Sequence, residues 1–468
     1  MAGIPHLQHS QGATARIGER RVQSVTDGSR ARQELGSVTA YCSGLASNRL
    51  ERSSRWPIAT ANAHPGPAAG RGTRLLSLDV FRGLTIIGML IVNNPGSSET
   101  AFAQLRHSRW NGCTLADLVF PFFLFVVGIT THLSLRGRAA RGDSNREIRG
   151  RILRRGALLF AIGVLLNWFP FYQYGAIDGH PHPTAVDHLI ARLTELRFLG
   201  VLQRIGIAYA AAALLSWNAS GKRVAFLTQA ILLGYWLLLT LVPVPGEGTI
   251  GLDQLNNPGH TLAAWVDRGT LDWSRWGLGN HIWQESRVYD PEGLLSTIPA
   301  IATVLLGVLI GRLLASSRAL EERIRQLFAA GAVFTVAGLL WGLALPINKN
   351  LWTSSYVAFT TGVACLTLGA ITWLTDVRQR RRWTEPFVVF GINPITAYVG
   401  AELSAVLFDS TIKLRVAGRL QSLHQLAYDG LASWLPPAVA SLGYSLAFVA
   451  LWYFIMRVLH RRGIVLKI

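Results

Sequence analysis

The stretch QLRHSRWNGCTLADLVFPFF, residues 104–123, sets His107, Trp110, Asn111 and Asp117 immediately ahead of a run of phenylalanines. An imidazole exchanges protons near neutrality, an indole stacks on flat faces, and the amide and carboxylate supply hydrogen bonds. A lone loop histidine is more often solvated than reactive, so the other polar clusters matter. In SLDVFRG, Asp79 and Arg82 stand three apart on one helical face. That pair either fixes a helix end or leaves Arg82 to bind an anionic group. In IVNNPG, Pro95 and Gly96 stop a helix and leave Asn93 either capping it or presenting its amide to a cavity. VLQRIG places Gln203 and Arg204 about one turn inside an apolar segment. VYDPEG and PINKNLW add Asp290, Glu292, Asn348, Lys349 and Asn350, residue types that also serve as caps and interfacial anchors.

The frame that must position these residues is apolar. Of 468 residues, 50% are hydrophobic and only 15% charged, the balance of an integral membrane protein. A helix crosses about 30 Å of hydrocarbon with roughly 20 residues at about 1.5 Å each. Ten stretches qualify: 77–96, 114–135, 152–170, 198–217, 223–243, 293–314, 325–345, 352–374, 386–409 and 437–457. None alternates as a strand would. The expected fold class is therefore all-α, a polytopic membrane bundle of about ten transmembrane helices.

Connecting segments set the orientation. RGRAARGDSNREIRGRILRR holds eight arginines against two acids and DVRQRRRW four against one, while Arg457, Arg461, Arg462 and Lys467 make the end basic. The long segment 244–292 carries seven acids and three arginines. By the positive-inside rule the basic segments and both termini are cytoplasmic, and His107 faces the other side.

Several function classes drop out. The net charge of +19 is spread in short runs between apolar segments, so it reflects topology rather than nucleic-acid binding. Cys42, Cys113 and Cys365 offer neither a disulfide framework nor metal-ligand spacing, and no metal is expected. GEGTIG at 246–251 satisfies a dinucleotide pattern but lacks the strand and helix that pattern needs. No zincin, P-loop or nucleophile-elbow motif occurs. Asn218 heads the one glycosylation acceptor considered, on the cytoplasmic side, which favours a bacterial inner membrane over a eukaryotic lumen. Residues 1–73, rich in Arg, Ser, Ala and Gly, read as a disordered basic tail ahead of a transmembrane domain over 74–468.

Taken in order, LSLDVFRG, IVNNPG, HSRWNGCTLADLVFPFFLFVVG, GVLQRIGIAY, VYDPEGLLSTIPAIATVLLGVLIG, PINKNLWTSSYV and PFVVFGINPITAYVG resemble the heparan-alpha-glucosaminide N-acetyltransferase family. The resemblance implies a transmembrane acyltransferase moving acetyl from cytoplasmic acetyl-CoA to the amine of a glucosamine-type sugar across the membrane. It makes His107 and Asn93 catalytic: the imidazole is the general base, or carries the acetyl group itself, and Asn93 is a donor to the oxyanion. CoA phosphates then call for basic groups, Arg82 with Asp79, Gln203 and Arg204 being the cofactor-side candidates. Trp110, Asn111, Asp117, Asp290, Glu292, Asn348, Lys349 and Asn350 are the sugar-side candidates. The resemblance also implies a homodimer. Two departures are expected: the animal enzymes' lumenal N-terminal domain and extra span have no counterpart, and NPGSSE replaces a glycine-rich run before His107. A second class, an amino-sugar or small-solute permease, would equally use buried Asp, Arg and Glu402 among ten spans. The absence of a visible repeat weighs against it.

Overall fold

A computed structural model describes residues 75–466, apart from 174–176, 178–181 and 417. The expected tail at 1–73 lies outside the described residues. Helices α1 (Leu76–Asn93), α2 (Leu115–Ala139), α3 (Asn145–Trp168), α4 (Ala185–Thr194), α5 (Val201–Ser216) and α6 (Gly221–Leu241) come first. The short α7 (Gly251–Gln254) and α8 (Leu262–Leu271) occupy the long connection to α9 (Leu294–Leu314). Then follow α10 (Leu320–Trp341), α11 (Ser354–Thr372), α12 (Glu385–Ile392) and α13 (Pro394–Val406). An antiparallel hairpin, β1 (Lys413–Val416) with β2 (Arg419–Ser422), precedes α14 (Leu423–Ala432) and α15 (Pro437–Arg461).

All ten apolar stretches fold as helix, but not all as full spans. Among the described residues seven helices, α1, α2, α6, α9, α10, α11 and α15, are long and apolar enough to cross a bilayer. An eighth results if α12 and α13 are one span, bent by 87°. The break falls at Asn393, whose backbone leaves the helical region ahead of Pro394, as a residue before proline tends to do. The remaining two differ from expectation for compositional reasons. Helix α3 starts at Asn145, so Arg146, Arg149, Arg151, Arg154 and Arg155 lie within it, and α5 has only 16 residues. Phe226, Val333, Leu340 and Phe454 point outward from α6, α10 and α15, an apolar exterior suited to lipid.

Because lipid is as apolar as leucine, such helices associate through close contact rather than apolar burial alone. A Cβ at Gly128 would lie 2.0 Å from the Val304 carbonyl oxygen, and one at Gly307 2.1 Å from that of Phe125. Helices α2 and α9 therefore meet backbone to backbone. Around them Ile86, Leu90, Leu124, Leu305, Trp352 and Phe390 form the main core.

The connections gather at two ends. At one, Gly112 N donates to Ile347 O (2.7 Å) and Trp110 Nε1 to Leu255 O (2.8 Å). At the other, Arg136 donates to Ala315 O (2.7 Å), Arg312 to Ala219 O (2.8 Å) and Trp217 Nε1 to Asn145 Oδ1 (3.0 Å).

Since the Gly307 contact is with backbone, Gly307→Ala must separate α2 from α9. A loss of about 1–3 kcal/mol is expected, the usual cost of overpacking, read as a lower thermal midpoint in detergent. An unchanged midpoint would contradict the close contact.

Candidate active site

Asp117 is the third residue of α2 and closes a capping box, accepting from Thr114 N (3.0 Å) and Thr114 Oγ1 (3.0 Å) through Oδ2. The same oxygen accepts from Ser108 N (3.1 Å), and Oδ1 lies 2.7 Å from His107 Nδ1. A carboxylate only accepts, so Nδ1 carries a proton, and in the neutral ring this leaves the lone pair on Nε2. The acid is fully buried while the His107 side chain is 44% exposed, so of the two only the imidazole is open to a ligand. Asp117, expected on the sugar side, bonds His107, Ser108 and Thr114 here. Burial and the Asp117 charge push the neighbouring Cys113 thiol up to about 12, which leaves it no role as a thiolate.

Lys349 arrives from 242 residues further along, its Nζ 3.0 Å from His107 Nδ1 and 3.1 Å from Nε2. Nearly equal distances place the amine against the ring rather than along one lone pair. It is also 3.8 Å from Asp117 Oδ1. Burial lowers the Lys349 pKa, opposed by Glu292 and Asp117. The turn carrying it is built by Asn348, whose N donates to Thr353 Oγ1 (3.1 Å) and whose Oδ1 accepts from Leu351 N (2.9 Å). Asn348 Nδ2 donates to Asn111 Oδ1 (3.0 Å), and Asn111 Nδ2 to Asn256 Oδ1 (2.7 Å). Gly112, at φ +106°, permits the turn that aims Asn111 and the Gly112 amide this way. Trp110 packs edge-on against Tyr289 at 5.3 Å. Asn350 sits in the same turn as Lys349.

Behind this layer lies an ion cluster. Arg197 donates to Asp290 (2.9 and 2.5 Å) and to Glu292 (2.6 Å). Burial opposes the Arg197 charge, but the two carboxylates hold it above the ordinary arginine range. Burial acts on Glu292 too, yet Arg197, Arg204 and Lys349 keep it below the ordinary carboxylate range. Asp267 on α8 accepts from Asp290 N (3.0 Å) and Leu294 N (3.2 Å), anchoring the start of α9. Arg204 is buried over Trp352, 5.0 Å from the ring centroid, and donates to Ser296 Oγ and Gly293 O.

The remaining candidates bond to other partners. Asn93 ends α1 and donates to Glu402 Oε1 (2.9 Å). Gln203 packs against Gly163 and Gly200. Arg82 bonds Asp79 (3.5 Å) and Gly391 O (2.9 Å) and lines a cavity of about 780 Å³. Arg138, Arg151, Arg154 and Arg155 share that wall with apolar residues including Phe123, Leu159 and Ile205. Sequence reasoning overlooked Arg197, Asp267 and Tyr356, whose hydroxyl donates to Asp117 O (2.5 Å). Tyr356 falls inside the PINKNLWTSSYV motif, which was the signal available for it.

The Asp267 carboxyl is pushed up to about 7, mainly by burial. Between about pH 4, the ordinary carboxylate value, and pH 7 the folded chain holds a proton that the unfolded chain has lost. Its stabilising contribution is complete below that window and lost as pH rises through 7. Thermal midpoints at pH 5 and pH 8 should therefore fall further in wild type than in Asp267→Asn. Equal falls would contradict the assignment.

Residues 74–242 match the family model for heparan-alpha-glucosaminide N-acetyltransferase, catalytic. That region holds His107, Asn93, Asp117 and Arg204, whereas Asp290, Glu292 and Lys349 lie beyond it. The chain is 32% identical to the heparan-alpha-glucosaminide N-acetyltransferase of Mus musculus over 417 residues, 79% of this chain and 60% of that protein. With the Homo sapiens enzyme of that name it shares 32% identity over 391 residues, 73% of this chain and 55% of that protein. The chain thus spans a little over half the length of these relatives. The resemblance carried by the seven motifs is borne out: residues 74–242 match the catalytic region of the heparan-alpha-glucosaminide N-acetyltransferases, and the likeness to their mouse and human members runs over most of the chain.

Proposed function

We propose that the chain is a membrane acetyltransferase. It takes acetyl from acetyl-CoA at the arginine-lined end and delivers it to the amine of a glucosamine-type sugar at the His107 end. In this reading ten segments cross a bacterial inner membrane, α3, α5 and the bent α12–α13 pair included, within one domain over 74–468. Both termini and the arginine-rich segments are cytoplasmic.

One observation carries the reading. The cavity holds five arginines, Arg82, Arg138, Arg151, Arg154 and Arg155, and runs inward along α2 from Arg138 to Phe123. Fifteen helical residues span about 22 Å, and the six from Phe123 to Asp117 add about 9 Å. A ligand anionic at one end and slender and neutral at the other fits such a path. CoA has that form, with its phosphates among arginines and its pantetheine arm directed toward His107.

At the far end the sugar amine attacks the thioester carbonyl carbon. An N–C bond forms, the amine proton passes to His107 Nε2, the C–S bond breaks, and the departing sulfur takes the proton back from the imidazolium. The atoms balance as amide plus CoA thiol. Asp117 holds Nδ1–H and steadies the transient cation, as in other acid–imidazole pairs. Lys349 brings positive charge beside the developing oxyanion, and Asn93 donates the amide hydrogen that Glu402 does not take. Trp110, Asn111, Asn348 and Asn350 meet the sugar, while Asp290 and Glu292 act by fixing Arg197.

Purified protein given acetyl-CoA and a panel of amino sugars tests this. His107→Ala should lose transfer and still bind CoA. Asp117→Asn should lower kcat by roughly 10²–10⁴-fold, the span typical of general base catalysis, with KM for acetyl-CoA little changed. An active His107→Ala protein would overturn the proposal. For the cavity, Arg151→Gln with Arg155→Gln should raise KM for acetyl-CoA and leave kcat nearly intact. The opposite split would remove the phosphates from that wall.

A further inference from the structure

Arg204 is 1% exposed, and its Nε and Nη1 have no hydrogen-bond acceptor among the described residues. Only Nη2 is engaged, with Ser296 Oγ and Gly293 O. The acids around it are committed elsewhere: Asp290 and Glu292 to Arg197, Asp267 to the amides of Asp290 and Leu294. Trp352 covers one face of the group and is itself tied by Nε1 to Thr303 Oγ1 (3.1 Å). A buried cation with two unspent donors is costly, and chains seldom keep one without a use for it.

Its position indicates the use. The next residue, Ile205, lines the inner part of the arginine-rich cavity. On its other side Arg204 acts electrostatically on Lys349 and Glu292, in the layer that contains His107. Arg204 is not itself part of the cavity lining; it lies one residue from Ile205, between that wall and the layer of Lys349 and Glu292. A phosphate has five arginines to meet before reaching that depth. What arrives there is the acyl end of the arm, whose one strong acceptor is the thioester carbonyl oxygen.

We infer that Arg204 is a catalytic residue that hydrogen-bonds the thioester carbonyl of the acyl donor through its unspent donors and holds the oxyanion formed on attack. This rests on the acetyl-transfer reading above. During the reaction the carbonyl oxygen gains charge when the N–C bond forms and loses it when the C–S bond breaks. The guanidinium keeps all its protons throughout, so Arg204 complements the base at His107 instead of sharing its task.

The test compares binding of acetyl-CoA with S-ethyl-CoA, which replaces the carbonyl by a methylene. It is run on full-length protein in a His107→Ala background that blocks transfer. With Arg204 intact, acetyl-CoA should bind about 10- to 100-fold tighter, the range for a hydrogen bond to a charged group. Arg204→Lys, which keeps the charge and loses the planar fork, should bind both equally, with affinity for free CoA retained. In the otherwise wild-type enzyme Arg204→Lys should lower kcat far more than it raises KM. Thermal unfolding with CoA present checks that the lysine variant folds, and Arg204→Gln is the substitute if it does not. Preserved carbonyl preference in the variant that folds would overturn the inference and leave acetyl transfer standing. Failure of Arg204-intact protein to bind either CoA compound would overturn both.

Discussion

The arrangement depends on one buried carboxylate. Asp117 ties the N-terminus of α2 to the 106–114 segment and at the same time holds His107 Nδ1. Helix start and imidazole orientation are thus set by the same group, and neither shifts without the other. Because α2 packs backbone to backbone on α9, the position of that carboxylate is inherited from the glycine contacts in the middle of the bundle. Tyr356 on α11 fixes the carbonyl of the same residue from a third helix.

Charge is arranged in two layers. Toward the His107 end, three cations, Arg197, Arg204 and Lys349, are interleaved with Asp117, Asp290 and Glu292, and every acid has a defined partner. Toward the other end the charged residues of the cavity wall are all arginines set among apolar side chains, and of these Arg82 is bonded to Asp79 and Arg138 to Asp143. Compensated charge suits a site that must be dry and ordered, because an unpaired ion in the interior is expensive. Uncompensated charge at a wall reached from the basic end suits an anionic ligand. The two layers are joined by apolar helix, which is what a slender neutral arm would cross.

Much of this was legible in the amino-acid sequence, for identifiable reasons. Apolar runs located every major helix, since hydropathy is read over a whole window. The polar clusters were found because each interrupts such a run. Their pairing was not found: His107 and Lys349 are 242 residues apart, and nothing local states that they meet. Asp117 was placed among the sugar-side candidates, and its capping box went unnoticed because a capping acid and an open binding residue share one local pattern. Arg197 and Asp267 lie in connecting segments with no periodicity and passed unnoticed. The bend at Asn393 had a signal in the Asn-Pro pair, which the strongly apolar surroundings obscured. The hairpin over 413–422 is too short and too polar to stand out.

The central claim is that the acyl donor and the sugar amine reach one site from opposite faces of the membrane. The most direct measurement encloses labelled acetyl-CoA in proteoliposomes and supplies glucosamine outside. The account predicts labelled N-acetylglucosamine in the external solution, none when acetyl-CoA is left out of the lumen, and no unmodified sugar within. Unmodified glucosamine accumulating inside, or transfer only when both substrates share one side, would contradict it.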